Sequence, residues 1–172
     1  ARSAIHQGDC VELLNAWPEG FARLVFADPP FNIGYRYSGY DDARAYTDYV
    51  DWSRRWMAAA ARALTPDGSL YIAIGDDYAA ELRVIGRELG LTLRNWIIWH
   101  YQFGQNMRDK YVRSHTHILY FVKDSKNFIF NADQSRFPSA RHTEYGDRRA
   151  KPEGRLPDDV WTEFPRVCGT FK

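Results

Sequence analysis

Residues 24–31 read Leu-Val-Phe-Ala-Asp-Pro-Pro-Phe, and no other stretch limits the fold as sharply. Four consecutive apolar residues suit a buried strand. The two prolines that follow lack backbone N–H groups and hold φ near −65°, so a sheet cannot continue through them. The strand must end near Ala27, and Asn32-Ile33-Gly34 then turns the chain away. One carboxylate, two rigid rings and an aromatic plate are thereby presented together at a strand's carboxyl end.

The rest of the chain alternates helix and strand. Asp9 is a favourable N-cap for a helix through Leu13 and Leu14, which Pro18 and Gly20 end. Between Ala45 and Leu64, residues Tyr46, Tyr49, Val50, Trp52, Met57, Ala60, Ala61 and Leu64 recur at helical spacing, and Thr65-Pro66-Asp67-Gly68 stops the run. Leu70 to Ile74 reads as a strand and Tyr78 to Leu89 as an amphipathic helix closed by Gly90. Trp96 to Tyr101 and Ile118 to Val122 read as later strands, expected to be antiparallel partners at the sheet's end. This alternation predicts an α/β, doubly wound sheet whose ligands lie at the carboxyl ends of its strands. With 172 residues, 45% of them hydrophobic, the chain can build one sizeable core.

The tetrapeptide also carries a specific chemistry. A base amine conjugates its lone pair into the ring, so it becomes a nucleophile only when both hydrogens are held and the nitrogen is drawn towards sp³ geometry. Asp28 supplies a carboxylate for one hydrogen and the Pro29 carbonyl an acceptor for the other. Pro30 fixes the path, and Phe31 offers a ring face to a base lifted from its stack. On these residues the chain resembles the DNA amino-methyltransferases, which modify adenine N6 or cytosine N4 with S-adenosylmethionine. The resemblance extends to the order of His6-Gln7-Gly8-Asp9-Cys10, the tetrapeptide, the turn and strand 64–72 and the segment 114–123, and that order fits the family's permuted branch. It implies a Rossmann-like methyltransferase fold, with Asp28, Pro29, Pro30 and Phe31 as catalytic residues and Asp9, Cys10 and Asp28 at the cofactor. Asp9 also has a plain reading as a helix cap.

The permuted branch ends on a Phe-x-Gly-x-Gly loop that binds the cofactor's methionine moiety, and none of the twelve glycines here forms Gly-x-Gly. The family's sheet order is 3-2-1-4-5-7-6, with strands 1 and 2 encoded late. The resemblance therefore implies an incomplete sheet lacking strands 1 and 2. The opening strand near Ile5 is expected to have no neighbours, and the Leu24 strand to be an open edge. On this reading the chain belongs to a longer enzyme, or is completed by another segment or by a second copy as a homodimer.

Charge divides the chain. Through Leu93 there are 9 Lys and Arg against 13 Asp and Glu; from Arg94 onward, 14 against 9. The basic half suits phosphate contacts with double-stranded DNA. Two polar, aromatic-laced stretches there, 102–114 and 136–159, read as DNA-facing loops. Tyr101, Phe103, Arg108, Lys110, Arg113, Arg141, Arg148 and Arg149 are the candidate DNA-binding residues, with Tyr101 or Phe103 as a second face of the base pocket. Residues 1–123 are assigned to the catalytic part and 124–172 to the start of a target-recognition or connecting region with a flexible loop.

Cys10 and Cys168 are far apart, and the alternating His115 and His117 suit opposite strand faces, so no metal site is expected. With no disulfide framework suggested, a reducing cytoplasm is the expected location, and no stretch reaches the roughly 20 apolar residues of a membrane span. Asp28 favours adenine, because cytosine-N4 relatives more often carry Ser there. Methyltransferases of RNA bases or protein glutamine, usually with Asn first, are the second enzyme reading. A catalytically silent nucleic-acid-binding module is the alternative of another class.

Overall fold

A computed structural model describes residues 3–101 and 107–164. Helix α1 (Cys10–Ala16) is followed by β1 (Ala22–Ala27), α2 (Tyr46–Ala63), β2 (Leu64–Ile74), α3 (Ala79–Glu88), β3 (Thr92–His100), β4 (His115–Val122), α4 (Ala140–Thr143) and β5 (Val160–Trp161). One mixed sheet runs β1-β2-β4-β3-β5. β1 lies parallel to β2, with Val25 beside Leu70 and Ala27 beside Ile72, and β4 is antiparallel to β2, pairing Leu70 with Phe121.

The expected order, once strands 1 to 3 are set aside, is 4-5-7-6, and β1-β2-β4-β3 reproduces it. β1 is the edge strand, with Leu24 and Phe26 each 61% exposed. Residues 3–8 form no strand, and Ile5 stands fully exposed. The expected opening strand has no neighbour among the described residues to satisfy its backbone groups.

The core lies on one face of β2 and β4. Leu70, Ile72 and Ile74 alternate towards it, as the two-residue strand period requires, and meet Leu119 and Phe121. Helix α2 adds Trp56, Met57, Ala60 and Ala63 on one stripe, and α3 adds Ala79, Leu82 and Ile85. Gly86 lets α3 approach the sheet closely, since a Cβ there would stand 2.5 Å from Cε1 of Phe121.

The turn expected at Thr65–Gly68 is instead absorbed into β2. Ala22 pairs with Leu64 but Leu24 with Ser69, so residues 65–68 bulge from the ladder. Lys123 holds the bulge, its N–H donating to Gly68 and its Nζ to the Leu64 carbonyl.

By packing, the chain divides into two units, Ala1–Ile97 with Thr116–Phe128, and Ile98–His115 with Ile129–Lys172. In the second, β5 pairs in parallel with the end of β3, Ile98 beside Val160 and Trp99 beside Trp161. The stretch 136–159 contains α4 and a two-way backbone bridge between Phe137 and Arg155. Gly154 makes the bridge possible: its φ is +91°, and a Cβ there would fall 1.9 Å from the Phe137 carbonyl oxygen.

Candidate functional site

β1 ends at Ala27 and delivers Asp28 beyond its carboxyl end, beside a cavity of about 510 Å³ in the first unit. Cys10 and Leu14 of α1, Trp17, Phe26, and Trp52 and Trp56 of α2 form much of its wall, with Asp28, Pro29 and Pro30 at one side. The lining is mainly aromatic and aliphatic. Partial desolvation raises the Asp28 carboxyl above its ordinary range. Among the described residues, no protein group donates a hydrogen bond to the Asp28 carboxylate or the Pro29 carbonyl.

The structure thus brings Cys10, Asp28, Pro29 and Pro30 to one cavity. Asp9 instead caps α1, its Oδ1 accepting from Val11 N at 2.8 Å and Glu12 N at 3.2 Å. Cys10 is a free thiol whose pKa is raised by burial and, secondarily, by the Asp9 charge. Phe31 packs partly buried against the core, its ring so near Gly75 that a Cβ there would stand 3.3 Å from it.

Beyond Phe31 the chain is tied down residue by residue. Asp42, 3% exposed, accepts from Asn32 N at 2.8 Å, Ile33 N at 3.2 Å and Tyr35 N at 2.8 Å, while its backbone carbonyl accepts from Gly34 N at 2.8 Å. Asn32 holds a φ of +58°, an uncommon conformation that Asn tolerates better than most residues. Its amide donates to the Arg44 carbonyl and the Tyr78 hydroxyl, and its Oδ1 accepts from Arg44 N. Arg44 stacks over the rings of Tyr40 and Trp52.

Sequence reasoning had not assigned Asn32, Asp42, Trp52 or Trp56 to the site. Trp52 is visible in the sequence only as a member of a helical stripe, and Trp56 one turn on is not singled out at all. Exposed Tyr35 and Tyr37, with ring centroids 4.8 Å apart, are a further aromatic surface on this loop, and Asp28 and Asp42 both act on the Tyr37 hydroxyl, whose pKa is raised first by desolvation.

The candidate DNA-binding residues that are described all lie in the second unit. Tyr101 packs edge-on against Trp99, at 5.6 Å between centroids, and its N–H donates to Ser114. Arg108, Lys110, Arg113 and Arg148 are exposed. Arg141 and Arg149 both pair with Asp147, and these bonds, Arg149's foremost, hold its carboxyl well below the usual range. Phe103 lies outside the described residues.

The model of the N6/N4 DNA methylase family matches residues 22–170, most of the chain and all of the tetrapeptide loop. The chain belongs to the N6/N4 DNA methylase family. Among its relatives, the type II methyltransferase M.HpaI of Haemophilus parainfluenzae is 31% identical over 160 residues, covering 92% of this chain and 49% of the relative. The DNA adenine methyltransferase YhdJ of Escherichia coli K12 is 32% identical over 175 residues, covering 97% and 58%. The chain spans about half the length of such relatives.

Among solved structures, TTHA0409 of Thermus thermophilus, complexed with S-adenosyl-L-methionine, superposes with a TM-score of 0.63 at 24% identity, covering 92% of this chain and 65% of that one. The cytosine-N4-specific PvuII DNA methyltransferase gives 0.64 at 18%, covering 92% and 55%. These likenesses establish a Rossmann-like methyltransferase fold for this member of the N6/N4 DNA methylase family.

Proposed function

We propose that the chain is the catalytic part of an S-adenosylmethionine-dependent DNA methyltransferase that modifies adenine N6 of an extruded base. The observation that carries this reading is the pair of acceptors without donors among the described residues, the Asp28 carboxylate and the Pro29 carbonyl, beside an apolar, aromatic cavity. A free amine has two N–H groups to place and two acceptors to receive them. The likeness to an adenine methyltransferase and the identity of residue 28 support adenine over cytosine.

The cavity suits the cofactor chemically. Tryptophan and phenylalanine faces can sandwich an adenine ring, and Nε1 of Trp56 is a buried donor without a partner among the described residues. When bound, S-adenosylmethionine supplies an electrophilic methyl on a sulfonium. The chain's own residues do the rest. Asp28 and Pro29 hold the amine hydrogens and turn the nitrogen lone pair out of conjugation, the walls exclude water, and the surplus N6 proton leaves by way of the Asp28 carboxylate. Stacking is assigned to Phe31, and positioning on the duplex to Tyr101, Phe103 and the second unit's cations. The exposed edge of β1 is where a further strand, from an adjoining segment or a second copy, would pair. Residues 1–123 carry the catalysis in this reading, and 124–172 begin the recognition region of a cytoplasmic enzyme.

Calorimetric titration of the full-length enzyme that contains this chain with S-adenosylmethionine, followed by transfer of a labelled methyl group to duplex DNA, tests it. Saturable binding and N6-methyladenine in the digested DNA are expected. N4-methylcytosine would move the target to cytosine, and DNA binding without transfer would replace the enzyme by a binding module.

A further inference from the structure

Four backbone torsions of the tetrapeptide are set by its own covalent structure. The rings fix φ of Pro29 and Pro30, and each ring crowds the residue before it, confining ψ of Asp28 and Pro29 to extended values. Past these four, the next torsion is ψ of Pro30, which no ring constrains and which determines where its carbonyl points. At that carbonyl the Tyr49 hydroxyl donates a hydrogen bond of 2.6 Å.

We propose that Tyr49 is a positioning residue for methyl transfer: by taking the Pro30 carbonyl, it withdraws the acceptor next in line to Pro29 and leaves the substrate amine to the Asp28 carboxylate and the Pro29 carbonyl. The inference rests on the methyltransferase reading above. Tyr49 is fully buried on α2, its ring 4.2 Å from that of Tyr78 and 5.5 Å from that of Trp52. Burial drives its hydroxyl pKa up, so it remains a donor across the working pH range. Tyr78 in turn receives the Asn32 amide, so packed tyrosines anchor the loop on both sides of Phe31. Without the hydroxyl, the Pro30 carbonyl becomes a competing acceptor beside the amine, and the nitrogen is shared among three directions instead of two.

Tyr49→Phe keeps the ring and its packing and deletes only the donor. Its kcat on adenine DNA should fall about tenfold, the loss of roughly one hydrogen bond's discrimination, while KM for S-adenosylmethionine and for DNA stays within twofold. 2-Aminopurine at the target position, which lacks the 6-amine, should show unchanged extrusion fluorescence. Site-specific 3-fluorotyrosine at position 49 keeps ring and hydroxyl and should restore kcat; it also serves if Tyr49→Phe fails to fold. Tyr49→Phe with wild-type kcat, or a fall confined to KM or to extrusion, overturns the proposal. A wild-type protein that binds cofactor and DNA but transfers no methyl overturns the functional reading instead.

Discussion

Asp28 and Asp147 receive opposite treatment from their surroundings. Asp147, in the second unit, is matched by the guanidinium and backbone N–H of Arg149 and by Arg141, which hold its carboxyl well below the ordinary range. Asp28, in the first, has no donor among the described residues and is held above that range by desolvation. Further along the same loop, Asp42 is buried but fully answered by backbone N–H groups. The fold therefore knows how to satisfy a carboxylate, and leaves one unsatisfied at the end of β1. An acceptor left open is where an external donor belongs.

Asp28→Ala breaks the comparison most severely. Methyl transfer should fall by at least about 10²-fold, the scale expected when a positioned acid-base group is removed, with the fold intact. Because the folded pKa of Asp28 lies above the unfolded value, its ionisation costs stability; the cost develops as pH rises through the interval between the two values and is complete above the folded one. The variant's Tm at pH 7 should equal or exceed the wild type's, and the difference should vanish below the ordinary aspartate range. A clear loss of Tm at pH 7 would show that Asp28 is structural.

Asp42→Asn should reverse that pattern. One side-chain oxygen survives to accept from Asn32, but the amide group that replaces the other cannot accept from Ile33 and Tyr35. Two weakened backbone donors cost roughly 2 kcal/mol, visible in chemical denaturation as a lower midpoint with little change of slope. Activity should fall with it, since the same donors fix the chain just past Phe31. Equal stability of Asp42→Asn and wild type would mean that the loop is held elsewhere.

The contrast between these residues also marks what the sequence could disclose. Asp28 was legible because its constraint is local: two prolines end a strand whatever surrounds them. The order of the first four strands was legible through alternation and resemblance. Asp42 was not, because its role arises only when Asn32 takes a positive φ and swings four N–H groups onto a residue 7 to 10 positions away. Periodicity placed Trp52 on the inner stripe of α2 and passed over Trp56, and it cannot say whether that stripe meets packed side chains or a cavity. The bulge at 65–68 looked like a helix-ending turn because Pro and Gly serve both purposes. β5 is two residues long and carries no periodic signal; it is recognised only by its pairing with β3.

A pH profile sharpens the comparison without mutation. If Asp28 acts as its carboxylate, kcat should decline on the acid side with an apparent pKa above that of free aspartate, in the direction desolvation gives. Tyr49→Phe should leave this limb in place while lowering the plateau. An acid limb at or below the ordinary aspartate value would assign the limb to another group.

The smallest effect is expected at Asp147. Its carboxylate occupies Arg141 and Arg149, so phosphates must compete for them. Its lowered pKa means that its contribution to stability is present above the unfolded value and is lost as pH falls through the folded one. Being near the surface, that contribution is small and salt-sensitive. Asp147→Asn weakens the hold on both guanidinium groups. Non-specific duplex binding should then tighten slightly, and the plot of log affinity against log salt should steepen by up to about 1 for each arginine that gains a phosphate. An unchanged slope would mean that these arginines serve Asp147 and the fold of the second unit, and that DNA lies instead along Arg108, Lys110 and Arg113.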